Sequence, residues 1–310
     1  MKKIVFICGI TIFIILSFLY PSVVLAGATN GLALWFQHLL PTLLPYIILS
    51  NIIIQSGLLD IESNAFKPTF PWRPVLITYL FGLILGLPIG AILVTNFYRR
   101  KMISKAQATI LVCSCNPLSP FFYINYILHH NAASGNRSIA SYLIPLYLLH
   151  SCVGALFLFV DYHRSHKDIV SATMHKKTTS RFHLSFQIID AGIMNGFEVI
   201  TKLGGYVILF GILTSLWMHI IPTTSPLGAI GIASLEISNG ISILGATLPN
   251  RQPQINIMMS MATFGGLCTH ALTYSIISGT NLSKISYSLA KISLALLTYC
   301  LLNLITIILC

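Results

Sequence analysis

Apolar positions fill this chain in long runs separated by short polar connections. The runs extend from Ile4 to Tyr20, Pro41 to Leu59, Val75 to Tyr98, Ala108 to Leu128, Ile139 to Val160, Leu203 to Ile221, Leu227 to Leu248, Ile255 to Ser278 and Ile285 to Leu309. Nearly all approach the roughly 20 residues that a helix needs to cross a bilayer. Four of them are interrupted at the centre. Val75 to Tyr98 carries Gly86-Leu87-Pro88-Ile89-Gly90, and Leu227 to Leu248 carries Glu236-Ile237-Ser238-Asn239-Gly240. A proline flanked by glycines, or a carboxylate followed by polar residues and glycine, predicts two half-helices that enter and leave on one side. The runs Ala108 to Leu128 and Ile255 to Ser278 are interrupted at Cys115-Asn116-Pro117-Leu118-Ser119-Pro120 and at Gly265-Gly266-Leu267-Cys268-Thr269-His270. Backbone groups freed at such breaks have no partner in hydrocarbon, so they are expected to face a protein-lined cavity.

Two amphipathic stretches precede crossing segments. Leu32, Trp35, Phe36 and Leu39 share one helical face, with Asn30, Gln37 and His38 elsewhere on the wheel. Ile189, Ile193, Phe197 and Ile200 form a second stripe, with Asp190, Asn195, Glu198 and Lys202 on other faces. Both stretches are expected to lie in the membrane interface before the chain turns inward, the first at Pro41. Each half then reads as interfacial stretch, crossing helix, broken hairpin, broken helix and plain helix. The expected organisation is an N-terminal helix over 1–28, a first repeat over 29–161, a basic connection over 162–185 and a second repeat over 186–310. Lys2 and Lys3 before an apolar run, with Val24-Leu25-Ala26 beyond it, also fit a signal peptide. The apolar region exceeds the usual ~7 to 15 residues, which favours an uncleaved helix.

Composition agrees with this pattern. Hydrophobic residues make up 55% of the chain and charged residues 8%, far below the quarter or so typical of soluble domains. The chain is therefore read as an all-α polytopic integral membrane protein. The net charge of +11 does not imply nucleic acid, because the basic residues cluster in short connections. The seven cysteines lie in or beside apolar runs and are read as small buried apolar residues rather than a disulfide framework.

Charge also orders the topology. If every run crossed from an inside N-terminus, the cluster Arg99, Arg100, Lys101 and Lys105 and the five cations from Arg164 to Arg181 would lie outside, against the positive-inside rule. Treating the two hairpins as re-entrant moves both clusters inside and leaves only Arg137 and Arg251 outside. The two repeats then have opposite orientation, which is the inverted-repeat plan of many secondary transporters, with the solute held where discontinuous segments meet. Crossing by every run from an outside N-terminus remains the alternative, with about seven cations outside.

Candidate chemistry follows from the breaks. Glu236 is the one acidic residue after Glu198, and an intramembrane carboxylate is by default a functional hypothesis. It suits binding of a coupling proton or cation, or of a substrate amine, or capping of a helix N-terminus. Gly86, Pro88, Gly90 and Gly240 provide turn geometry at the hairpin tips, or close helix packing. Asn116, Pro117 and Ser119 at one break, Ser238 and Asn239 at the second tip, and Thr269 at the other break offer neutral donors, acceptors and freed backbone. The same polar groups serve helix–helix hydrogen bonding equally well. His270 either relays a proton with Glu236 or is a satisfied buried histidine. His163, His166, His175 and His183 lie in a polar tract whose spacing fits no closed metal site, so no metal or cofactor is expected. The chain has no Walker loop, no H-E-x-x-H, no G-x-S-x-G and only seven carboxylates, so no enzyme is expected. An intramembrane hydrolase built on Ser119 or Cys115 with His270 is the weaker alternative.

Five segments in order, Gly31 to Tyr46, Gly86 to Ala91, Cys115 to Pro120, Leu235 to Gly240 and Gly265 to His270, resemble the sporulation integral membrane protein YlbJ (SpoVV) family of nucleoside-recognition or Gate-domain proteins. The resemblance covers nearly the whole chain. It implies a role in endospore formation, with transport of dipicolinic acid across the outer forespore membrane of a bacterial cell. It also implies a core similar to that of concentrative nucleoside transporters, with two opposed hairpins. The chain departs from the family at Ile89, where a small polar residue is usual after the hairpin proline, and family members often run longer. The partners expected are membrane lipid and a small solute, with a coupling proton or cation. A nucleoside-type solute and a non-transporting factor for cortex or coat assembly are the alternatives.

Overall fold

The architecture is that of a computed structural model, which describes residues 2–57, 72–128, 140–165, 185–221, 225–247 and 251–309. The basic connection, apart from its ends, and Arg137 lie outside these residues. Every regular element among the described residues is helical. Large apolar side chains such as Phe18, Leu76, Phe157, Leu296 and Ile307 stand exposed on the outside, while Asn116, Glu236, His270 and Lys291 are buried. That inversion of the soluble pattern, together with four helices among the described residues that are long and apolar enough to cross a bilayer, makes this an integral membrane protein.

The chain opens with Lys2–Leu19 (α1) and continues as Pro21–Gln55 (α2), a single helix of 35 residues. Trp72–Leu85 (α3) and Ile89–Arg99 (α4) form the first hairpin, and their separation at Gly86 to Pro88 includes a cis Leu87–Pro88 bond. Lys105–Ser114 (α5) starts from a capping box in which Ser104 Oγ accepts from the Gln107 N–H and the Gln107 side chain accepts from the Ser104 N–H. After the break at 115–119 the helix resumes over 120–128 (α6), partly in π geometry, and Ala140–Ser165 (α7) closes the first half.

The second half runs through the same series. Phe186–Ile220 (α8) has 35 residues, as α2 does. Pro226–Leu235 (α9) and Ile237–Thr247 (α10) make a tighter hairpin; Ser225 caps it with Pro226 in the first turn. Arg251–Phe264 (α11) and Gly266–Ile276 (α12) are separated at Gly265, where Gly265 and Gly266 both take positive φ, +87° and +76°. Two successive left-handed residues end one helix and start another in a single step, and glycine meets that requirement without a Cβ penalty. Lys284–Leu309 (α13) has 26 residues, the length of α7. The arms of both hairpins are 10 to 14 residues long, too short to cross a bilayer singly.

The two 35-residue helices pack antiparallel along their lengths. A Cβ on Gly27 would lie 2.8 Å from Gly211 O, one on Gly31 would lie 2.8 Å from Ile208 Cα, and Gly196 and Gly192 face Ile48 and Ile52. Between these contacts the Trp35 ring covers Gly204 and its Nε1 donates to Ile200 O at 2.8 Å. Backbones approach this closely only over small residues, the usual device of membrane helix pairs. The same pattern stands at the same distance from the start of each helix, Gly27-x-x-Asn30-Gly31 in α2 and Gly192-x-x-Asn195-Gly196 in α8. The antiparallel pairing puts the start of α8 beside the end of α2, at the end of the molecule where Arg100 Nη2 donates to Ile54 O.

Two expectations are corrected here. The stretches before Pro41 and before Leu203 are not separate interfacial segments, because α2 and α8 run through them without interruption. No breaker stands between Asn30 and Pro41. A π-helical turn at Trp35–Leu39, in which the Leu40 N–H bonds Trp35 O, widens the helix just where Pro41 removes an N–H. The cysteines are also not uniformly buried: Cys115 and Cys268 are, whereas Cys8, Cys152 and Cys300 lie on the exposed surface.

Candidate functional site

The two hairpin tips and the two breaks meet around one central cavity of about 550 Å3. The first hairpin contributes Leu87, the first break Leu118 and Ser119, the second hairpin Glu236, Ile237 and Ser238, and the second break Cys268 and Thr269. The remaining wall comes from Phe121 and Phe122 of α6 and from the α2–α8 pair. Gln37, His38 and Thr42 of α2 and Leu203 and Val207 of α8 complete it. Gln37 and His38, two polar positions of the first amphipathic stretch, therefore border the mouth of this cavity, and Asn30 does not. Polar groups are few against an apolar lining, the composition of a small-solute pocket.

Each hairpin is fastened to the break of its own half. In the first, the Leu87 N–H donates to Pro117 O at 2.7 Å, and Gly86 and Gly90 lie against the Leu118–Ser119 and Cys115 backbone. A Cβ on Gly90 would stand 2.0 Å from Cys115 O, so the approach demands glycine. In the second, Gly266 packs against the Ala233 and Leu235 carbonyls, and Gly240 lies against Ala233 Cα, where a Cβ would be 2.2 Å away.

Glu236 is buried and holds the N-terminus of α10. Its Oε1 accepts the Ser238 N–H at 2.9 Å and its Oε2 the Asn239 N–H at 2.8 Å. The two backbone bonds and the positive end of the helix dipole favour its carboxylate form at the cavity wall, and burial opposes that form. Ser238 also lines the cavity, while Asn239 and Gly240 stand behind it as part of this turn. Thr269 Oγ1 returns its proton to Gly265 O and Gly266 O, both at 3.0 Å, covering carbonyls at the break. Ser119 caps α6 by accepting the Phe122 N–H at 3.3 Å.

Gly86, Pro88, Gly90, Asn116 and Pro117 do not line the cavity; they build its support. Asn116 is a junction among three elements. Its Oδ1 accepts the Ala91 N–H of α4 at 3.3 Å, and its Nδ2 donates to Thr273 Oγ1 of α12 at 3.2 Å and Tyr287 Oη of α13 at 3.5 Å. Its main-chain carbonyl accepts the Lys291 ammonium at 2.8 Å. Lys291 is 3% exposed and sits over the Tyr287 ring at 5.8 Å from its centroid. A buried cation inside a membrane helix marks function or a freed carbonyl that needs a donor, and here the second is visible. Sequence reasoning misses Lys291 because the final run reads as a plain helix. Its place as the one charged residue within an otherwise apolar run is the signal that could have found it.

His270 does not meet Glu236. Its Nδ1 bonds Gly266 O at 2.8 Å, its Nε2 has no hydrogen-bond partner, and its ring lies among Phe264, Tyr274 and Tyr287. It follows Thr269 without itself lining the cavity, and the relay through it has no hydrogen bond to run along among the described residues.

No family model matches the chain, and no solved structure matches it. A sequence relative is found in the sporulation integral membrane protein YlbJ of Bacillus subtilis (strain 168), 20% identical over 88% of this chain and 75% of that protein. Over most of its length the chain is thus similar to a sporulation integral membrane protein.

Proposed function

We propose that this protein is a membrane transporter for a small solute, acting without enzymatic chemistry in endospore formation, with dipicolinic acid as the solute that the YlbJ resemblance favours. The observation that carries this reading is the convergence of both hairpin tips and both helix breaks on a single cavity. Discontinuous helices at the centre of a bundle provide unpaired helix ends for solute or ion binding, in halves that can rock against each other. The matching element series and the antiparallel α2–α8 pair support an inverted repeat. So does the start of α8, after the basic connection, at the same end as Arg99 and Arg100.

Within this reading Ser119, Ser238 and Thr269 replace the hydration of a polar solute, and the apolar wall takes a planar ring. An anionic solute meets Glu236 with its charge already offset by the α10 N-terminus, and a coupling proton or cation entering beside Glu236 offsets the remainder. The test is uptake of radiolabelled dipicolinate into proteoliposomes under imposed proton and sodium gradients. The expected result is uptake by wild type and at least a tenfold fall, about 1.4 kcal/mol, in Ser238→Ala/Thr269→Val. Normal dipicolinate content in spores of a strain lacking the protein, with defective cortex or coat, would favour a non-transporting assembly factor instead.

A further inference from the structure

A second chamber, of about 500 Å3, opens at the basic end of the α2–α8 pair. It lies next to the central cavity. On α12 its wall begins at Leu272, one turn beyond Cys268, and continues to Ser275; on α8 it includes Val199 and Lys202, beside Leu203 of the central cavity. Leu272 and Ile92, both buried, stand among the apolar residues between the two spaces.

The chamber differs from the central cavity in chemistry. Two buried side-chain donors on its wall have no partner among the described residues: Asn51 Nδ2, in a residue 7% exposed, and Thr95 Oγ1, in a residue 4% exposed. A helical threonine can return its proton to the carbonyl four residues back, as Thr78, Thr109 and Thr273 do. Thr95 does not, and a buried donor without a bond is costly unless a ligand or solvent completes it. Among the described residues of the wall the charge balance is positive: Glu198 is paired with Lys202 at 2.5 Å, while Arg99 is anchored by Ser278 O at 3.1 Å and meets no carboxylate. Arg100 is held in place across the mouth by Ile54 O at 3.0 Å. Unpaired N–H and O–H donors beside a positioned guanidinium form the chemistry that recognises a carboxylate.

We infer that this chamber is a second binding site, for small organic carboxylates, in which Arg99, Thr95 and Asn51 capture the anion before it passes Leu272 into the central cavity. The inference rests on the transport reading for the direction of passage, but not for binding. Electrostatic capture at a vestibule raises local solute concentration and weakens with salt.

The experiment uses the full chain in phosphatidylcholine nanodiscs, with radiolabelled dipicolinate as probe, uncharged pyridine-2,6-dimethanol as competitor control and sodium sulfate as inorganic anion. Wild type is expected to bind dipicolinate with an affinity that falls as salt rises and is unaffected by the uncharged diol. Arg99→Gln is expected to weaken binding about tenfold, and Thr95→Val a few-fold. Arg99→Lys retains the charge and the fold and is expected to stay within a few-fold of wild type. In proteoliposomes Arg99→Gln should raise KM with the maximal rate retained. Transport by wild type with binding and KM unchanged in Arg99→Gln would overturn the chamber and leave the transport reading standing. Arg99-dependent binding without transport would do the reverse. A wild type that binds neither dipicolinate nor sulfate below roughly 10 mM would also overturn the chamber.

Discussion

The two junctions between hairpin and broken helix solve one problem with opposite charges. In the second half, breaking the chain between α9 and α10 frees amide N–H groups, and the Glu236 carboxylate covers two of them. In the first half, the break at Asn116 frees a carbonyl, and the Lys291 ammonium covers it from a helix 175 residues away. The acid is local and faces the central cavity, whereas the base is distant and stands behind the wall. A charge inside a membrane bundle can thus be placed for backbone satisfaction, and its position relative to the cavity separates a candidate solute contact from a structural clamp.

The largest test of this comparison is at the glycines that let each hairpin close. Gly90→Ala puts a methyl group 2.0 Å from Cys115 O, and Gly240→Ala puts one 2.2 Å from Ala233 Cα. Backbone must move in both, at a cost of about 3 kcal/mol or more, and both proteins are expected to lose the monodisperse peak in size-exclusion chromatography. A normal elution profile for Gly90→Ala would mean that the first hairpin does not close on the break.

Next is the clamp itself. Lys291→Met leaves the Asn116 carbonyl without its donor and is expected to destabilise the protein by about 1 to 3 kcal/mol, read from thermal unfolding in detergent. Lys291→Arg should recover much of that loss. A Lys291→Met protein as stable as wild type would show that the ammonium is not needed for the backbone and return Lys291 to the functional candidates.

Glu236→Gln keeps one acceptor for the α10 N-terminus and loses the other, together with the charge. A smaller loss of stability, about 1 kcal/mol, is expected, accompanied by a larger change in dipicolinate uptake than Lys291→Met gives at equal folded protein. Equal effects of the two substitutions on uptake would erase the distinction between cavity acid and distant base. The smallest effect is expected at the seam of α2 and α8. Trp35→Phe loses the bond to Ile200 O and should cost about 0.6 kcal/mol, the usual worth of a side-chain bond between membrane helices, with transport kept.

Much of this molecule is legible in its amino-acid sequence. Gly86-Leu87-Pro88, Cys115 to Pro120, Glu236 to Gly240 and Gly265-Gly266 interrupt helices by local backbone chemistry, which needs no distant partner. The amphipathic stretches around Gln37 and Glu198 are equally visible, but their pattern points to the membrane interface. Periodicity shows that a helix has a polar face, not what the face meets; here Gln37 meets the central cavity and Glu198 the basic chamber. The glycine pairs Gly27 and Gly31, and Gly192 and Gly196, carry one spacing in both halves, yet they are masked by the stronger apolar stripe beside them.

By itself the sequence determined the membrane setting, the four interrupted segments and the order of elements in each half, because hydropathy and backbone breakers act within a few residues. Only the tertiary structure decided that α2 and α8 are single antiparallel helices, that Glu236 caps its own helix, that His270 turns away from it, and that Lys291 reaches Asn116. The helix pairing and the Lys291 bond join groups more than a hundred residues apart, which leave no mark on the local pattern, whereas Glu236 and His270 find local partners and the packing around them decides among the roles their types allow.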